Sequence, residues 1–437
     1  MKAENENMPH RRDFLKEASI LAGSLLGNSD LWAGANDRLR VALIGGGGRG
    51  RALIEEMLVT PGVEIAGVCD VDQNRLRQRA SEVEQKTGRR PRMETDMRRL
   101  LEDPSIDAVT IATCDHWHAL TTIWACQHGK HVYVEKPVCE NVFEGQRMVE
   151  AARKYRRVVQ GGTQRRSWGR FRRTHEILNS GLIGDVYMSR TLLTGYRAPI
   201  GFKPTEHPPS WLDWDLWLGP APKQPYHANL VHYNWHWFWD FGNGEMGNNG
   251  SHYIDISRWF MKKELPTRIY SAGKRAGPAD QGQTPNAHNA TFIYEDGSIL
   301  ECEIRNTYTA EASEWHFYGT KGYLHFQENI MVRPRVFNVE VYLEGSKEPI
   351  PDIGTYDDID HFGIFAQAVR ENKPEMLTCD VEKARISATH CHLANLSYLL
   401  KRDLKFNPQT ERFIGDDEAN ALLTREYRQP FVVPERV

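Results

Sequence analysis

The sequence lacks a paired-cysteine pattern and an excess of charge of one sign. Its seven cysteines are scattered from Cys69 to Cys391, and no two of them are separated by only two residues. A disulfide framework is therefore not expected in so long a chain, and neither is a thiolate metal site. The formal net charge is −3 over 437 residues, so the composition gives no support for a nucleic-acid partner.

The sequence also lacks a long hydrophobic run. The apolar run over residues 18–27 is too short to cross a bilayer as a helix, and no later stretch is long and apolar enough. We therefore expect no membrane anchor.

The first 36 residues carry a different signal. RRDFLK at residues 11–16 precedes the short apolar run, and a small-x-small site, Ala33-Gly34-Ala35, follows it. This order is typical of a twin-arginine signal peptide over residues 1–35, and a disordered basic tail is the alternative. The signal predicts a periplasmic or otherwise exported protein. Because this route carries folded proteins, the chain can leave with a cofactor already bound.

Residues 36–162 alternate short apolar runs with amphipathic segments. This alternation predicts a parallel, doubly wound sheet of the Rossmann type, in the α/β class. The predicted strands are 39–44, 63–68, 108–112, 132–134 and 158–160, and the predicted helices are 49–59, 73–87, 119–128 and 144–155.

The pattern changes after residue 163. Long loops rich in Trp, Pro and His run over residues 211–249, and β runs joined through Glu295-Asp296-Gly297 indicate a hairpin. We predict a C-terminal α+β domain with an open antiparallel sheet over residues 163–405, which serves substrate binding and oligomerisation. Residues 406–437 lack strong periodicity and are predicted to pack on the surface as a tail.

A glycine-rich segment joins the first predicted strand to the first predicted helix. It contains G-x-G-x-x-G as Gly45, Gly47 and Gly50, with Arg49 inside the same turn. The glycines permit a tight turn and a close approach of the backbone to a pyrophosphate, which the helix N-terminus then attracts. Asp70 follows at the end of the second strand, where a carboxylate can bind the ribose hydroxyls. The segment predicts a dinucleotide site.

The choice between NAD and NADP depends on two side chains. The Asp70 carboxylate repels a 2′-phosphate and so favours NAD, whereas Arg75, five residues later, can relax that preference. We predict NAD, with NADP as the alternative.

Three segments carry side chains suited to proton transfer. Thr113 and His118 follow one core strand, Glu135 and Lys136 follow the next, and a glycine-rich run ends in His252. Ligands of open α/β sheets bind beyond the carboxyl ends of the strands, so the first two segments fall at the expected site. Oxidation of a carbinol needs one group that takes the hydroxyl proton and one that polarises the oxygen, and Lys and His suit both tasks.

These segments resemble the Gfo/Idh/MocA oxidoreductases. The resemblance rests on the glycine fingerprint, Asp70, the T-x-x-x-x-H segment and GKHVYVEKP at residues 129–137, and it extends from about residue 38 to about 400. It implies a Rossmann domain followed by an open-faced α/β domain. It further implies that Lys136 contacts the nicotinamide ribose and the substrate hydroxyl, that His252 is the general acid/base, and that Asp255 is a supporting or substrate-binding acid.

The sequence departs from the family pattern at one position. The family often has D-x-G-x-H, whereas this chain has Asn248-Asn249-Gly250-Ser251-His252. Asn248 can orient a hydroxyl but cannot carry a charge or accept a proton. The catalytic work is then expected to rest on Lys136 and His252, with Asn248 as an orienting group.

Several further side chains are candidates for holding the substrate. Arg165 offers a fork of donors to a carboxylate or polar sugar, although a surface ion pair is an equal alternative. Trp235 and His236 lie in the segment that leads directly to His252, and we expect them at the cleft.

Two histidine pairs raise the question of a metal. His116 with His118, and His232 with His236, have spacings that a metal site can use. No cysteine or acid stands in register with either pair, so we expect no metal at the site.

The sequence leaves three functions open. The first is an NAD(P)-dependent oxidoreductase that acts on a CH–OH group of a sugar, glycoside or cyclitol and retains its cofactor. The second is an NAD-dependent, redox-neutral glycosidase that oxidises, eliminates, hydrates and reduces its substrate. The third is a non-catalytic sugar-binding protein. In each case the expected partner is a small-molecule sugar or glycoside, and we expect a homo-oligomer.

Overall fold

A computed structural model describes residues 38–310, 313–329 and 335–437. The predicted signal peptide lies outside these residues. The N-terminal part contains six parallel strands in the order β3-β2-β1-β4-β5-β6, as the sequence predicts for a Rossmann sheet. The strands are β1 (Leu39–Ile44), β2 (Val63–Cys69), β3 (Arg92–Glu94), β4 (Ala108–Ile111), β5 (His131–Val134) and β6 (Val159–Gly161).

Helices cover both faces of this sheet. Their apolar residues are buried against strands that are themselves apolar on both sides, as in other parallel sheets. The helices are α1 (Gly48–Val59), α2 (Gln73–Thr87), α3 (Arg98–Leu101), α4 (Asp115–Gln127) and α5 (Val142–Lys154).

The C-terminal part contains nine strands in the order β13-β12-β11-β7-β10-β9-β8-β14-β15. The predicted open antiparallel sheet is confirmed, except that β7 and β10 pair in parallel. The sequence prediction missed β7 and also the strands β3, β8, β13, β14 and β15. The strands are β7 (Val186–Thr194), β8 (Arg268–Lys274), β9 (Ala287–Ile293), β10 (Ile299–Arg305), β11 (Ser313–Gly319), β12 (Gly322–Asn329), β13 (Val336–Leu343), β14 (Leu404–Asn407) and β15 (Arg412–Phe413).

One long helix connects the two cores. Helix α10 contributes Ala384 and Ala388 to the core of the N-terminal sheet, and Ile386 and Leu393 to the core of the C-terminal sheet. Over most of its length this helix has no solvent-exposed face, because both of its sides are packed against a core. The helices of this part are α6 (Gly169–Asn179), α7 (Trp214–Leu218), α8 (Ser251–Phe260), α9 (His361–Glu371), α10 (Val381–Leu400) and α11 (Asp417–Ala421).

Two late segments pack on the N-terminal sheet. Helix α9 places Phe362 and Phe365 in the same core cluster as β1. The end of the chain buries Phe431 and Val433 beside Trp117 of α4. The residues predicted as a surface tail therefore supply two strands to the C-terminal sheet and apolar contacts to the Rossmann domain.

The predicted loop over residues 211–249 contains short helical segments. Trp217, Leu218 and Phe241 form a buried cluster there, as expected if the tryptophans anchor the loop. Within the residues that the structure describes, no helix is both long and apolar enough to cross a membrane.

Candidate active site

A cleft of about 880 Å³ opens at the carboxyl ends of the parallel strands. One wall comes from the turns after β1, β2, β4 and β5, and the other comes from the loop over residues 211–249 and the start of α8. This is the place where open α/β sheets bind ligands. The cleft therefore brings together the segments that the sequence singles out.

The fold leaves no room for a side chain at Gly45 or Gly50 of the glycine turn. Gly45 has φ +96°, and a Cβ there would lie 2.5 Å from the carbonyl oxygen of Ala112. A Cβ at Gly50 would collide with the carbonyl oxygen of Gly45, so Gly50 lets α1 pack on the turn. Gly47 precedes α1 and provides no side-chain cap, which leaves the N–H groups at the helix N-terminus available to a pyrophosphate. The turn fits a dinucleotide.

Asp70 lies beside this turn. Its Oδ2 accepts from the N–H of Gly46 at 2.6 Å, and its Oδ1 accepts from the N–H of Asp72 at 2.8 Å. Burial raises the pKa of Asp70, and these two hydrogen bonds oppose that shift. Arg75 lines the same part of the cleft, with its Nε 3.8 Å from Asp72 Oδ2. The carboxylate thus stands where the adenosine ribose of NAD is expected, with a guanidinium nearby.

Arg49 and Glu135 form an ion pair in the cleft, beside Lys136. Arg49 Nε lies 2.6 Å from Glu135 Oε1, and Gln164 Nε2 donates to the same oxygen at 3.1 Å. Burial raises the pKa of Glu135, but Arg49 and its hydrogen bond outweigh this and leave the pKa below its ordinary value. Glu135 therefore holds the Arg49 side chain next to the turn that carries Lys136.

Lys136 connects the two domains. Its Nζ donates to the backbone oxygen of Asn248 at 2.8 Å and to Asn248 Oδ1 at 3.0 Å. The peptide bond between Lys136 and Pro137 is cis. Burial lowers the pKa of Lys136, against the nearby carboxylates of Glu135, Asp115 and Glu245. A residue from the Rossmann turn and one from the C-terminal domain thus form a single polar unit.

Glu245 is a site residue that the sequence prediction missed. Its carboxylate is buried, accepts from Asn248 Nδ2 at 3.1 Å and from Asn249 Nδ2 at 2.8 Å, and lies 3.3 Å from Arg197 Nε. Burial raises the pKa of Glu245, but His236, the charge of Arg197 and the hydrogen bond from Asn249 outweigh this and lower the pKa to about 2. The spacing of three and four residues from Glu245 to the two asparagines was the available signal, because it places all three on one helical face.

His252 lines the cleft near Lys136. Its Nδ1 is buried and has no hydrogen-bond partner among the described residues. Burial is the largest cause that lowers the pKa of His252 well below 6.5, and the positive charges of Lys136 and Arg165 act in the same direction. His252 is therefore a neutral imidazole at neutral pH.

His118 and Thr113 support the turn after β5. His118 Nδ1 lies 2.7 Å from the carbonyl oxygen of Pro137, and its Nε2 lies 3.2 Å from that of Thr113. Both histidine nitrogens are therefore in contact with backbone oxygens. His116 Nε2 is likewise 3.0 Å from the carbonyl oxygen of Trp217.

The predicted substrate residues separate into two groups. Arg165 and Trp235 line the cleft, and Arg165 Nη2 is 2.7 Å from Glu328 Oε2. Asp255 and His236 are not brought to the cleft wall. Asp255, a residue of α8, is buried in a bidentate ion pair with Arg166, at 2.8 and 2.9 Å.

His236 is held at the far side of the Glu245 carboxylate. Its Nδ1 lies 2.7 Å from the carbonyl oxygen of Tyr233, and its Nε2 lies 3.5 Å from Glu245 Oε1. Asp255 is bound by Arg166, and His236 is bound through its Nδ1 and buried, so both support the cleft wall and do not line the cleft.

The glycine turn gives a test that separates ligand binding from folding. We expect Gly47→Val to lose NAD affinity and to keep its unfolding temperature, because a Cβ there meets only the flexible end of Arg75, at 3.1 Å. Gly50→Val should instead lose stability, because the backbone of Gly45 cannot move away. Titration calorimetry and thermal unfolding measure the two effects, with Arg51→Ala on the exposed face of α1 as the control. Undiminished NAD affinity in Gly47→Val would contradict the assignment.

Two family models match the chain. Residues 39–163 match the oxidoreductase family's NAD-binding Rossmann fold, and residues 200–433 match the oxidoreductase family's C-terminal alpha/beta domain. The N-terminal domain is therefore an NAD-binding Rossmann domain, as the sequence predicts.

Individual relatives match shorter parts. A "Glycosyl hydrolase family 109 protein 1" of Akkermansia muciniphila is 33% identical over 125 residues, which is 28% of this chain and 26% of the relative. A "Myo-inositol 2-dehydrogenase" of Thermotoga maritima is 29% identical over 152 residues, which is 35% of this chain and 44% of the relative. The matched parts thus span less than half the length of either relative.

Solved structures match over most of the fold. The WlbA dehydrogenase of Bordetella pertussis, in complex with NADH and UDP-GlcNAcA, has a TM-score of 0.64 at 19% identity, covering 85% of this chain and 99% of WlbA. This similarity shows the fold. With the two family models, which together extend from residue 39 to 433, it identifies the chain as a member of the Gfo/Idh/MocA family of oxidoreductases.

Proposed function

We propose that the chain oxidises a CH–OH group of a sugar, glycoside or cyclitol, or reduces the corresponding ketone. The observation that carries this proposal is the pairing, in one cleft with the glycine turn, of Lys136 held by Asn248 and a neutral His252. NAD, when bound, supplies the hydride acceptor. A sugar suits the site because its hydroxyls need several fixed polar partners within a largely preformed cleft.

His252 and Lys136 take different roles in the proton transfer. A neutral imidazole accepts the hydroxyl proton, and the lowered pKa of His252 favours this neutral form. Two Nζ–H groups of Lys136 are donated to Asn248, which leaves the third to hold the substrate oxygen. In the reverse direction His252 returns the proton to the same oxygen.

Glu245 supplies the negative charge that Asn248 lacks. It binds the amide NH2 of Asn248, so the amide oxygen is turned towards Lys136. The carboxylate itself raises the pKa of Lys136 through space. Glu245 is then a positioning residue that compensates for Asn in place of the family's Asp.

The redox-neutral glycosidase is the second candidate, and the similarity to the Akkermansia muciniphila protein favours it. In this scheme oxidation of a ring hydroxyl acidifies the adjacent C–H, and loss of that proton expels the glycosidic oxygen. Water then adds to the double bond, and the hydride returns to the ketone. The net reaction is hydrolysis with no consumption of NAD.

We also propose that the protein is exported and retains its NAD. The twin-arginine pattern supports export.

Retention of NAD is supported by contacts between the C-terminal domain and the turn after β2. The N–H of Gln73 donates to Trp211 O at 2.9 Å, that of Asp213 donates to Val71 O at 3.0 Å, and His232 Nε2 lies 3.4 Å from Asp72 Oδ2. We name residues 211–232 the clamp, since this segment closes the cleft beside Asp70.

The proposed acid/base residues can be tested by substitution. We expect Lys136→Met and His252→Asn each to lower kcat by about 10²–10⁴-fold, the range for a positioned acid or base, with NAD affinity and folding retained. The measurement is turnover on a panel of glycosides, scoring keto-sugar formation and release of the aglycone separately. Lys86→Met and His128→Asn, both exposed, are the matched controls.

The same panel decides between the two candidate functions. A dehydrogenase forms a keto-sugar and leaves the glycosidic bond intact. Release of the aglycone with solvent deuterium incorporated into the sugar, and without net NADH, would replace the first proposal by the second. Full turnover in both Lys136→Met and His252→Asn would contradict the proposed acid/base roles of these two residues.

The role of Glu245 has a readout in the pH profile. In Glu245→Gln the ammonium of Lys136 loses a nearby negative charge, so the pKa of Lys136 falls. The limb of the kcat–pH profile that reports the titration of Lys136 should then move to lower pH. Glu245→Asp should restore the position of that limb. A merely structural role predicts lower activity or stability with an unmoved profile, and that result would reject the electrostatic part of the proposal.

Cofactor retention is tested on the mature chain. We expect protein purified without added cofactor to release close to one NAD(H) per chain when denatured. Trp211→Ala removes the ring that stacks on His232 at 5.6 Å between centroids, and should lower this ratio by opening the clamp. Leu422→Ala, at an exposed position of the C-terminal segment, is the control. An empty wild-type site whose turnover depends on added NAD would defeat the idea.

A further inference from the structure

The outer face of the C-terminal sheet carries a cluster that the proposed function does not use. Glu314 and His316 lie two residues apart on β11, and their side chains point away from the core that contains Trp315. His325 lies directly opposite His316 on β12. None of the three lines the active-site cleft.

We propose that Glu314, His316 and His325 form a binding site for a divalent transition-metal ion of the Zn²⁺ type. One ligand atom from each residue lies within 4.8 Å of the other two. Glu314 Oε2 is 3.0 Å from His325 Nε2, and Glu314 Oε1 is 3.5 Å from His316 Nε2. Both imidazole nitrogens therefore already converge on one carboxylate.

The backbone register explains why the two imidazoles converge. Cross-strand partners of an antiparallel pair have adjacent Cβ atoms on the same face. The two rings are nearly parallel, with 8° between their planes and 4.3 Å between centroids. The pair is thus preorganised by two adjacent strands of the sheet.

The donor set has the chemistry that Zn²⁺ prefers. Two imidazoles and a carboxylate are a common three-ligand set for zinc, with water in the fourth position. Glu340, opposite His325 on β13, has an oxygen 3.8 Å from His325 Nδ1. A carboxylate behind a metal-ligating imidazole orients the ring and leaves Nε2 for the ion.

The surrounding charge also favours a cation. Arg190 on β7 lies opposite His316, but its guanidinium is shared with Glu303 at 3.1 Å and Glu301 at 3.8 Å. These two carboxylates partly offset the positive charge of Arg190. The three proposed ligands are half-buried, so water is only partly excluded and the ion has a path of entry.

The test uses the full-length chain, carrying no polyhistidine tag and stripped with a chelator. Calorimetric titration with Zn²⁺ should give one site per chain, and Co²⁺ should give the visible absorption of a tetrahedral site. We expect His316→Gln, His325→Gln and Glu314→Gln to abolish this site. Glu340→Gln should weaken it by about 10- to 100-fold, the usual cost of losing an outer partner. His128→Gln, at an exposed histidine of the N-terminal domain, should change nothing.

Two results would overturn the proposal. One is Zn²⁺ binding with unchanged affinity and stoichiometry in His316→Gln and His325→Gln, which would place the ion elsewhere. The other is anomalous scattering at the zinc edge from crystals of the wild-type protein that locates the ion away from the three residues, which needs no variant to fold. Neither result depends on turnover, so the outcome is independent of the proposed oxidoreductase activity.

Discussion

The hydrogen bonds from Lys136 Nζ to the two oxygens of Asn248 join the Rossmann domain to the C-terminal domain at the cleft, as the proposed reaction requires. The lysine follows β5 of the Rossmann sheet, and the asparagine precedes α8 of the C-terminal domain. The glycine turn belongs to the Rossmann domain and His252 belongs to the C-terminal domain, so neither domain alone contains both. Because α10 belongs to both hydrophobic cores, the two domains are held in the orientation that lets this contact form.

Charge at the site is arranged in layers. The glycine turn leaves a helix N-terminus open, and Glu135 ties Arg49 to the turn that carries Lys136. Behind Asn248, Glu245 holds two amides and one guanidinium. A buried carboxylate without such partners would be costly, so the network accounts for its persistence in the ionised form. Lys136 therefore donates to Asn248, and the carboxylate of Glu245 lies on the other side of that asparagine.

The C-terminal domain also contributes to the cofactor side of the cleft. The clamp, residues 211–232, exchanges backbone hydrogen bonds with the turn after β2, close to Asp70. Its tryptophans pack in a cluster of their own, which gives the segment a rigid base. The last residues of the chain pack instead beside α4, where Phe431 meets Trp117 edge to face. Two separate segments of the second half therefore brace the Rossmann domain, one at the cleft and one behind it.

Much of the architecture follows from local sequence patterns. Alternating apolar runs predicted the parallel sheet and most of its helices, and glycine spacing together with Asp70 predicted the NAD-binding turn. These signals act over a few residues, so a single sequence displays them. The sequence also singled out Lys136, Asn248 and His252, since each belongs to a recognisable motif. It did not reveal the parallel pairing of β7 with β10, which depends on contacts between residues more than 100 positions apart.

What the sequence by itself determined is the fold class, the NAD-binding turn and the identity of the groups able to move a proton. Only the tertiary structure decided which partner each buried polar side chain contacts. Asp255, on α8, pairs with Arg166, and His236 lies beside Glu245, although the sequence analysis assigned both to the substrate. The physical reason is that sequence periodicity fixes which residues share a face of a helix or strand. The partner of a buried charge depends instead on which oppositely charged side chain the tertiary packing brings close to it.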